Sequence, residues 1–246
     1  MDAFRIAKDD VDQMAAYWMA RKDELMGMTG DFFASLIDPA FAYEEEPDDL
    51  MSVQFNICYT EWLLFECKLL GGYTPLMAYV DQPPSYVDTD ALDSLREVVR
   101  TQFFSRFAIL EKRKRAGMAT LRDVMDGRCY EVFDPHLCSI DSWKDGTIAL
   151  RIARVDGVWQ TVGQVCMYDR APEAATRRDG PGCVHEEDRD ARPYLSEMGF
   201  FIRFVYDVFS IDGRYHHTMR LRQTDAGAAL RREIEARRHG LDGPAG

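Results

Sequence analysis

The chain has 246 residues, of which 46% are hydrophobic and 12% aromatic, and a net charge of −12. This composition supports a sizeable core in one large domain or two small ones, and is globular, not disordered. The negative balance disfavours phosphate backbones and anionic lipid as general partners.

The charge is uneven. Residues 1–105 hold 20 acidic and 7 basic side chains, whereas residues 106–246 hold 22 and 23. Within the acidic half, Ala7–Met26 places Val11, Met14, Ala15, Trp18, Leu25 and Met26 at helical spacing. Thr29-Gly30 is expected to close this helix, with a short second helical segment over Asp31–Ile37 before Pro39. Glu44–Asp49 forms an acidic linker, read as a solvated turn in preference to a cation site.

Phe55–Leu70 is the densest apolar run and predicts a buried central helix, entered from Asp48-Asp49 and left at Gly71-Gly72. Its charges at Glu61, Glu66 and Lys68 make it too short for a membrane span. Glu61 and Glu66 are the candidate catalytic carboxylates, because a carboxylate in apolar surroundings must find a partner or take up a proton. The structural alternative is that each pairs with an arginine, caps a neighbouring helix or reaches solvent. A five-residue spacing separates them by about 140° on a helix, so they are not expected to share one face.

Thr74-Pro75 starts a short helix, with threonine as cap and proline in the first turn. Asp88-Thr89-Asp90 starts another, expected to run to about Phe104 with Leu92, Leu95, Val98, Val99 and Phe103 on its buried face. Past Ser105 the period changes from helical to alternating. Strands are expected over Phe107–Lys112, Met118–Met125, Arg128–Phe133, Gly146–Arg154 and Val158–Tyr168, with turns at Asp126-Gly127 and Asp156-Gly157. Five short strands leave sticky edges unless they close, which points to a small antiparallel barrel, SH3-like or OB-like. Arg170–Pro193 reads as a mobile polar loop. Tyr194–Ile211 fits a helix face through Phe200, Phe201, Phe204, Val205, Val208 and Phe209, or an aromatic strand. Ala226–Arg238 reads as an exposed basic helix before a Gly/Pro tail.

Three short motifs, Glu61-Trp62-Leu63-Leu64-Phe65-Glu66, Thr74-Pro75-Leu76 and Arg122-Asp123-Val124-Met125-Asp126-Gly127, together with Ala149-Leu150-Arg151-Ile152, carry a resemblance across residues 50–168. In them the chain resembles a family of uncharacterised bacterial and plant proteins. That family has a helical first half, a small β-module and often a cysteine-rich SEC-C zinc tail. No cysteine follows Cys183 here, so the tail's zinc chemistry does not carry over, and the resemblance implies architecture without an activity.

Neither GxxxxGK[ST], GxGxxG nor GxSxG occurs, and Gly180-Pro181-Gly182 suits a flexible loop better than a phosphate cradle. The six cysteines form no CxxC, and Met1–Asp10 is charged with no apolar leader core. Reduced buried thiols in a cytoplasmic protein are therefore expected. His136 and Cys138 are too weak a pairing to assign a thiol nucleophile. No metal site is assigned; Cys183 and His185 are the nearest to one, with His216-His217 as a remote imidazole source. Lys112, Arg113, Lys114 and Arg115 form the candidate nucleic-acid strip, extended by Arg151, Arg154, Arg220 and Arg222; its alternative role is protecting an edge strand or docking an acidic surface.

The expected fold is α+β: an acidic helical layer over 1–105, the barrel over 106–169, a flexible loop over 170–193, and a C-terminal helical segment and tail over 194–246. The expected function is a non-catalytic interaction or regulatory module with its binding groove between helices and barrel. Its partner is expected to be another protein or a second copy, with no cofactor and no membrane, and with nucleic acid disfavoured. The competing readings are an enzyme using Glu61 or Glu66, and nucleic-acid binding through Lys112–Arg115.

Overall fold

The computed structural model describes residues 4–39, 49–69, 71–170, 180–184, 193 and 197–215. The chain begins with α1 (Ala7–Met19) and α2 (Lys22–Ile37), where the sequence predicts one helix closing at Gly30. The break comes at Arg21, whose N–H bonds the Trp18 carbonyl at 2.9 Å in a tightened last turn. Gly27 and Gly30 face open space and do not interrupt α2. Thr29, expected to close the helix, is buried within it; its hydroxyl lies 2.8 Å from the Leu25 carbonyl and 2.7 Å from the Tyr59 hydroxyl. The stop is Asp38, in the left-handed region at φ 50°, just before Pro39.

The central helix, α3, runs Asp49–Phe65 instead of Phe55–Leu70. The N–H groups of Glu66 and Cys67 both bond the Trp62 carbonyl, each at 2.9 Å, and this widened turn releases the chain ahead of the glycines. α4 (Pro75–Asp81) and α5 (Thr89–Thr101) start as expected, with the Met77 amide on Thr74 Oγ1 at 3.2 Å and the Ala91 amide on Asp88 Oδ1 at 2.7 Å. α5 stops short of Phe104 because Gln102 turns extended and Phe103 enters a strand opposite Ile152.

All five expected strands are present: β1 (Phe103–Arg113), β2 (Met118–Asp123), β3 (Cys129–Phe133), β4 (Thr147–Val155) and β5 (Val158–Asp169). The short α6 (Pro135–Ser139) lies between β3 and β4. The strands pair in the order β1-β2-β3-β5-β4, and β4 returns to β1 to close the ring. The expectation of a wholly antiparallel arrangement is corrected at one seam. β3 and β5 run parallel, through the two pairs Val132–Trp159 and Phe133–Gln160. The reason is topological: a closed ring of five strands cannot alternate direction at every neighbour, so one contact must be parallel.

Phe107, Leu121, Val132, Ile148, Leu150 and Ile152 fill the barrel. α1, α4 and α5 pack on the outer face of β4 and β5 through Ala153, Val155 and Val162. α2, α3 and a last helix, α7 (Phe200–Phe209), cover Phe104, Ala149 and Val165. The helices therefore build their cores on the barrel wall, and the charge boundary at residue 105 falls inside β1. α7 decides the choice between helix and strand for Phe200–Phe209 in favour of helix.

The described part of the expected mobile loop corrects that expectation. Gly180–Cys183 is buried, with the Gly182 amide donating to Asp207 at 2.7 Å and Arg203 donating to the Gly182 carbonyl at 2.9 Å. Gly182 is required there, since a Cβ would lie 2.8 Å from the Phe200 ring at φ +88°. His185, His216-His217, Arg220, Arg222 and the helix expected over 226–238 lie outside the described residues. Among the described residues no helix is long and apolar enough to cross a membrane.

Gly146 provides a test of the β4 entry. It sits at φ +96°, and a Cβ would lie 2.3 Å from the Asp169 carbonyl oxygen. Gly146→Ala is expected to lower stability by about 2 to 4 kcal/mol, through backbone strain and overpacking. Urea unfolding of the two proteins measures this, and equal midpoints at equal slopes would refute it.

Candidate functional site

The two candidate carboxylates meet at one cation. Arg151 stands on the outer face of β4, where β5 bulges: Leu150 pairs Cys166 while Ile152 pairs Thr161. Its Nε donates to Glu61 Oε1 at 2.9 Å and its Nη2 to Glu66 Oε1 at 2.7 Å, while Nη1 is bound by Gln102. The guanidinium lies 4.7 Å from the Phe65 ring centroid and 5.5 Å and 5.7 Å from those of Phe201 and Phe104. The other Glu61 oxygen accepts the amides of Gln164 and Val165 at 2.7 and 2.6 Å, which are donors exposed by the bulge. Arg151 and Glu61 are 1% and 0% exposed, and the Glu66 side chain 27%. Gly163 makes room for the pair, since a Cβ there would lie 2.6 Å from Glu61 Oε1.

This geometry overturns the expectation that Glu61 and Glu66 face apart. Because α3 ends at Phe65, Glu66 no longer follows helical spacing and can turn to the same arginine. A carboxylate committed to an arginine and two amides has little capacity left for proton transfer to a substrate. Arg151 also leaves the proposed nucleic-acid patch, because its charge is buried and paired. The signal for it was present in the sequence. Arg151 lies between Ala149 and Ala153 on the outward face of its strand, and small residues there mark a face covered by helices.

The basic strip is likewise occupied. Lys112 Nζ donates to the Leu137 and Ile140 carbonyls at 3.0 and 2.5 Å, holding the end of α6. Arg113 pairs with Glu131 and Lys114 with Asp141. Arg115, in the 3₁₀ turn after β1, is exposed. Cys183 is buried, and burial raises its thiol above the ordinary range; no group of three metal-ligating side chains occurs among the described residues. His136 is exposed, whereas Cys138 is buried and its thiol raised by that burial, so the two do not form an activated dyad.

Among the described residues two clefts lie where helices meet barrel. The first, of about 640 Å³, opens where β3 and β5 part company beyond their two-pair seam. Ile6, Lys8 and Asp9 form one wall, Phe133–His136 another, and Gln160, Thr161, Gly163, Gln164 and Cys166 of β5 the floor; most of the lining surface is apolar, with Lys8, Asp9, Asp134 and His136 as its ionisable groups. Gln160 sets its width: its side chain accepts from the Ala7 amide at 3.0 Å and donates to the Arg5 carbonyl at 2.9 Å. It thereby caps the start of α1, which has no side-chain cap of its own. Thr161 Oγ1 is buried here without a partner. Cys166 lines the floor with its surface exposed to the cleft, and the protein packed around it, with the nearby Asp134 and Glu61 charges, raises its thiol above the ordinary range. It is therefore a neutral thiol at physiological pH. The second cleft, of about 340 Å³, lies between β1, β5 and α7. A larger groove of about 800 Å³ along α5 is lined by charges that pair with one another, Arg96 with Asp93 and Arg100 with Glu97, as a solvated surface does.

No family model, curated protein or solved structure matches this chain.

The Arg151 cluster makes a stability prediction. Glu61→Gln is expected to lose about 3 kcal/mol, because it leaves a buried cation undercompensated. Glu66→Gln is expected to lose less, since that carboxylate is partly solvated. In a double-mutant cycle with Arg151→Met, the Glu61 and Arg151 effects should be strongly non-additive. Additive losses in urea unfolding would show that the pair does not act as one unit.

Proposed function

We propose that this protein is a non-catalytic interaction module, an OB-like barrel jacketed by helices, that receives an extended apolar segment of a protein partner in the cleft between α1, α6 and β5. The OB-like reading is supported by the strand order β1-β2-β3-β5-β4, the parallel β3–β5 seam and the short helix between β3 and β4. An SH3-like barrel is the less favoured alternative. Residues carrying the family resemblance occupy structural positions, at the Arg151 cluster, the α4 cap and the β2–β3 turn, which is compatible with shared architecture.

The observation that carries the functional reading is the 640 Å³ apolar cleft at the helix–barrel junction, with walls held by Gln160. An oligonucleotide on the usual OB face has less support. Beside β2 and β3 the Arg113 charge is matched by Glu131, which also accepts from Thr120 at 2.6 Å. The β4–β5 turn is taken up by helices, with the Arg5 amide on Asp156 and the Asp156 amide on Glu97. An acid–base enzyme is less supported because Glu61 and Glu66 are bound to Arg151. A cytoplasmic setting belongs to the same proposal, and the burial of Cys58, Cys67, Cys138 and Cys183 as single thiols supports it.

A random heptapeptide display library selected on the immobilised protein tests the proposal. Selected peptides are expected to be apolar and to lose about tenfold or more in affinity for Cys166→Trp, which fills the cleft floor. They should bind Arg96→Ala, in the charged groove, unchanged. Failure to select any peptide, or peptides indifferent to Cys166→Trp, would refute it.

A further inference from the structure

The second cleft shares no lining residue with the first, and its chemistry is different. Its base is Arg106, on the outer face of β1 and only 3% exposed. Nε and Nη2 of Arg106 donate to Thr147 Oγ1 at 3.2 and 2.9 Å, and Nη2 also donates to Asp169 Oδ2 at 3.0 Å. Nη1 has no hydrogen bond to a described residue, and it is not among the polar atoms sealed from solvent without a partner. The other walls include Met167, Pro181, Phe204 and Val208, all apolar.

A buried guanidinium favours compensation by an anion with matched hydrogen bonds. Asp169 supplies only part of this, because its side chain is 44% exposed and its attraction is screened by water. Burial accordingly outweighs Asp169 and lowers the Arg106 pKa from its ordinary value. One edge of the guanidinium is committed to Thr147 and Asp169, leaving the other for a ligand. A volume of about 340 Å³ admits a molecule of roughly ten to fifteen heavy atoms, at the small end of ligand sites.

We propose that this cleft is a binding site for a small apolar monocarboxylate, its carboxylate accepting from Arg106 Nη1 and its apolar body lying against Phe204, Val208 and Met167. Asp169 disfavours dianions, so the class is a monoacid with an aromatic or branched aliphatic body. The site is independent of the peptide cleft, and either can fail without the other.

The test uses 3-phenylpropionate and its neutral counterpart 3-phenylpropanamide, titrated into methyl-labelled protein by NMR. The acid is expected to shift the Val208 methyl signals saturably and to bind about tenfold or more tighter than the amide, through its charge-assisted hydrogen bond. Met167→Trp, which fills the cleft and removes no hydrogen bond, should abolish binding while leaving the thermal midpoint within a few degrees. Arg106→Lys should weaken the acid and leave the amide unchanged. Equal affinity for acid and amide, no saturable shift at Val208, or undiminished binding to folded Met167→Trp would overturn the proposal.

Discussion

Arg151 projects from β4 into a space walled by the rings of Phe65, Phe104 and Phe201, out of reach of bulk water. A cation there is tolerated only if its hydrogen-bonding capacity is met, and the elements around it are arranged to meet it. α3 ends early enough to release Glu66, Gln102 turns α5 into β1 within reach of the guanidinium, and β5 bulges to offer two amides to Glu61. Three features that look like separate irregularities thus meet at one buried cation. Such a cluster adds little net stability compared with an apolar replacement, but it strongly disfavours any packing in which one partner is missing.

The same junction explains where the clefts lie. A five-stranded ring must contain one parallel seam, and here that seam is only two pairs long. Beyond it β3 turns into α6 while β5 runs on alone, so a gap opens, and the start of α1 bridges it through Gln160. On the opposite flank α7 covers β1 without filling the space beside Arg106. One cleft thus lies at the end of the parallel seam and the other where α7 covers β1. Neither is lined by Glu61, Glu66 or the basic strip Lys112–Arg115.

Those side chains illustrate how readily local reading misassigns charge. Lys112, Arg113 and Lys114 form a basic block in the sequence, yet they hold the end of α6, Glu131 and Asp141 respectively. Glu61 and Glu66 were legible as carboxylates needing a partner, but their arginine lies about ninety residues further along the chain. Arg106 drew no notice, because one arginine in a strand looks like any outward-facing residue until the helix that covers it is known. Turns and caps fared better: Asp156-Gly157, Thr74-Pro75 and Asp88 sit where their own stereochemistry places them.

By itself the sequence determined many of the local features: the five strands, the two capped helix starts, the tight hairpin, and the α+β order, while the α1–α2 break, α6 and the helical state of Phe200–Phe209 came only with the structure. The former follow from backbone stereochemistry and from side-chain periodicity within a few residues, so no distant partner is needed. Only the tertiary structure decided the parallel seam, the point at which α3 ends, the pairing of Arg151 with both glutamates and the positions of the two clefts. Each of these depends on groups brought together from separate parts of the chain. Their free energies come from desolvation and from matched hydrogen bonds, which a linear pattern does not encode.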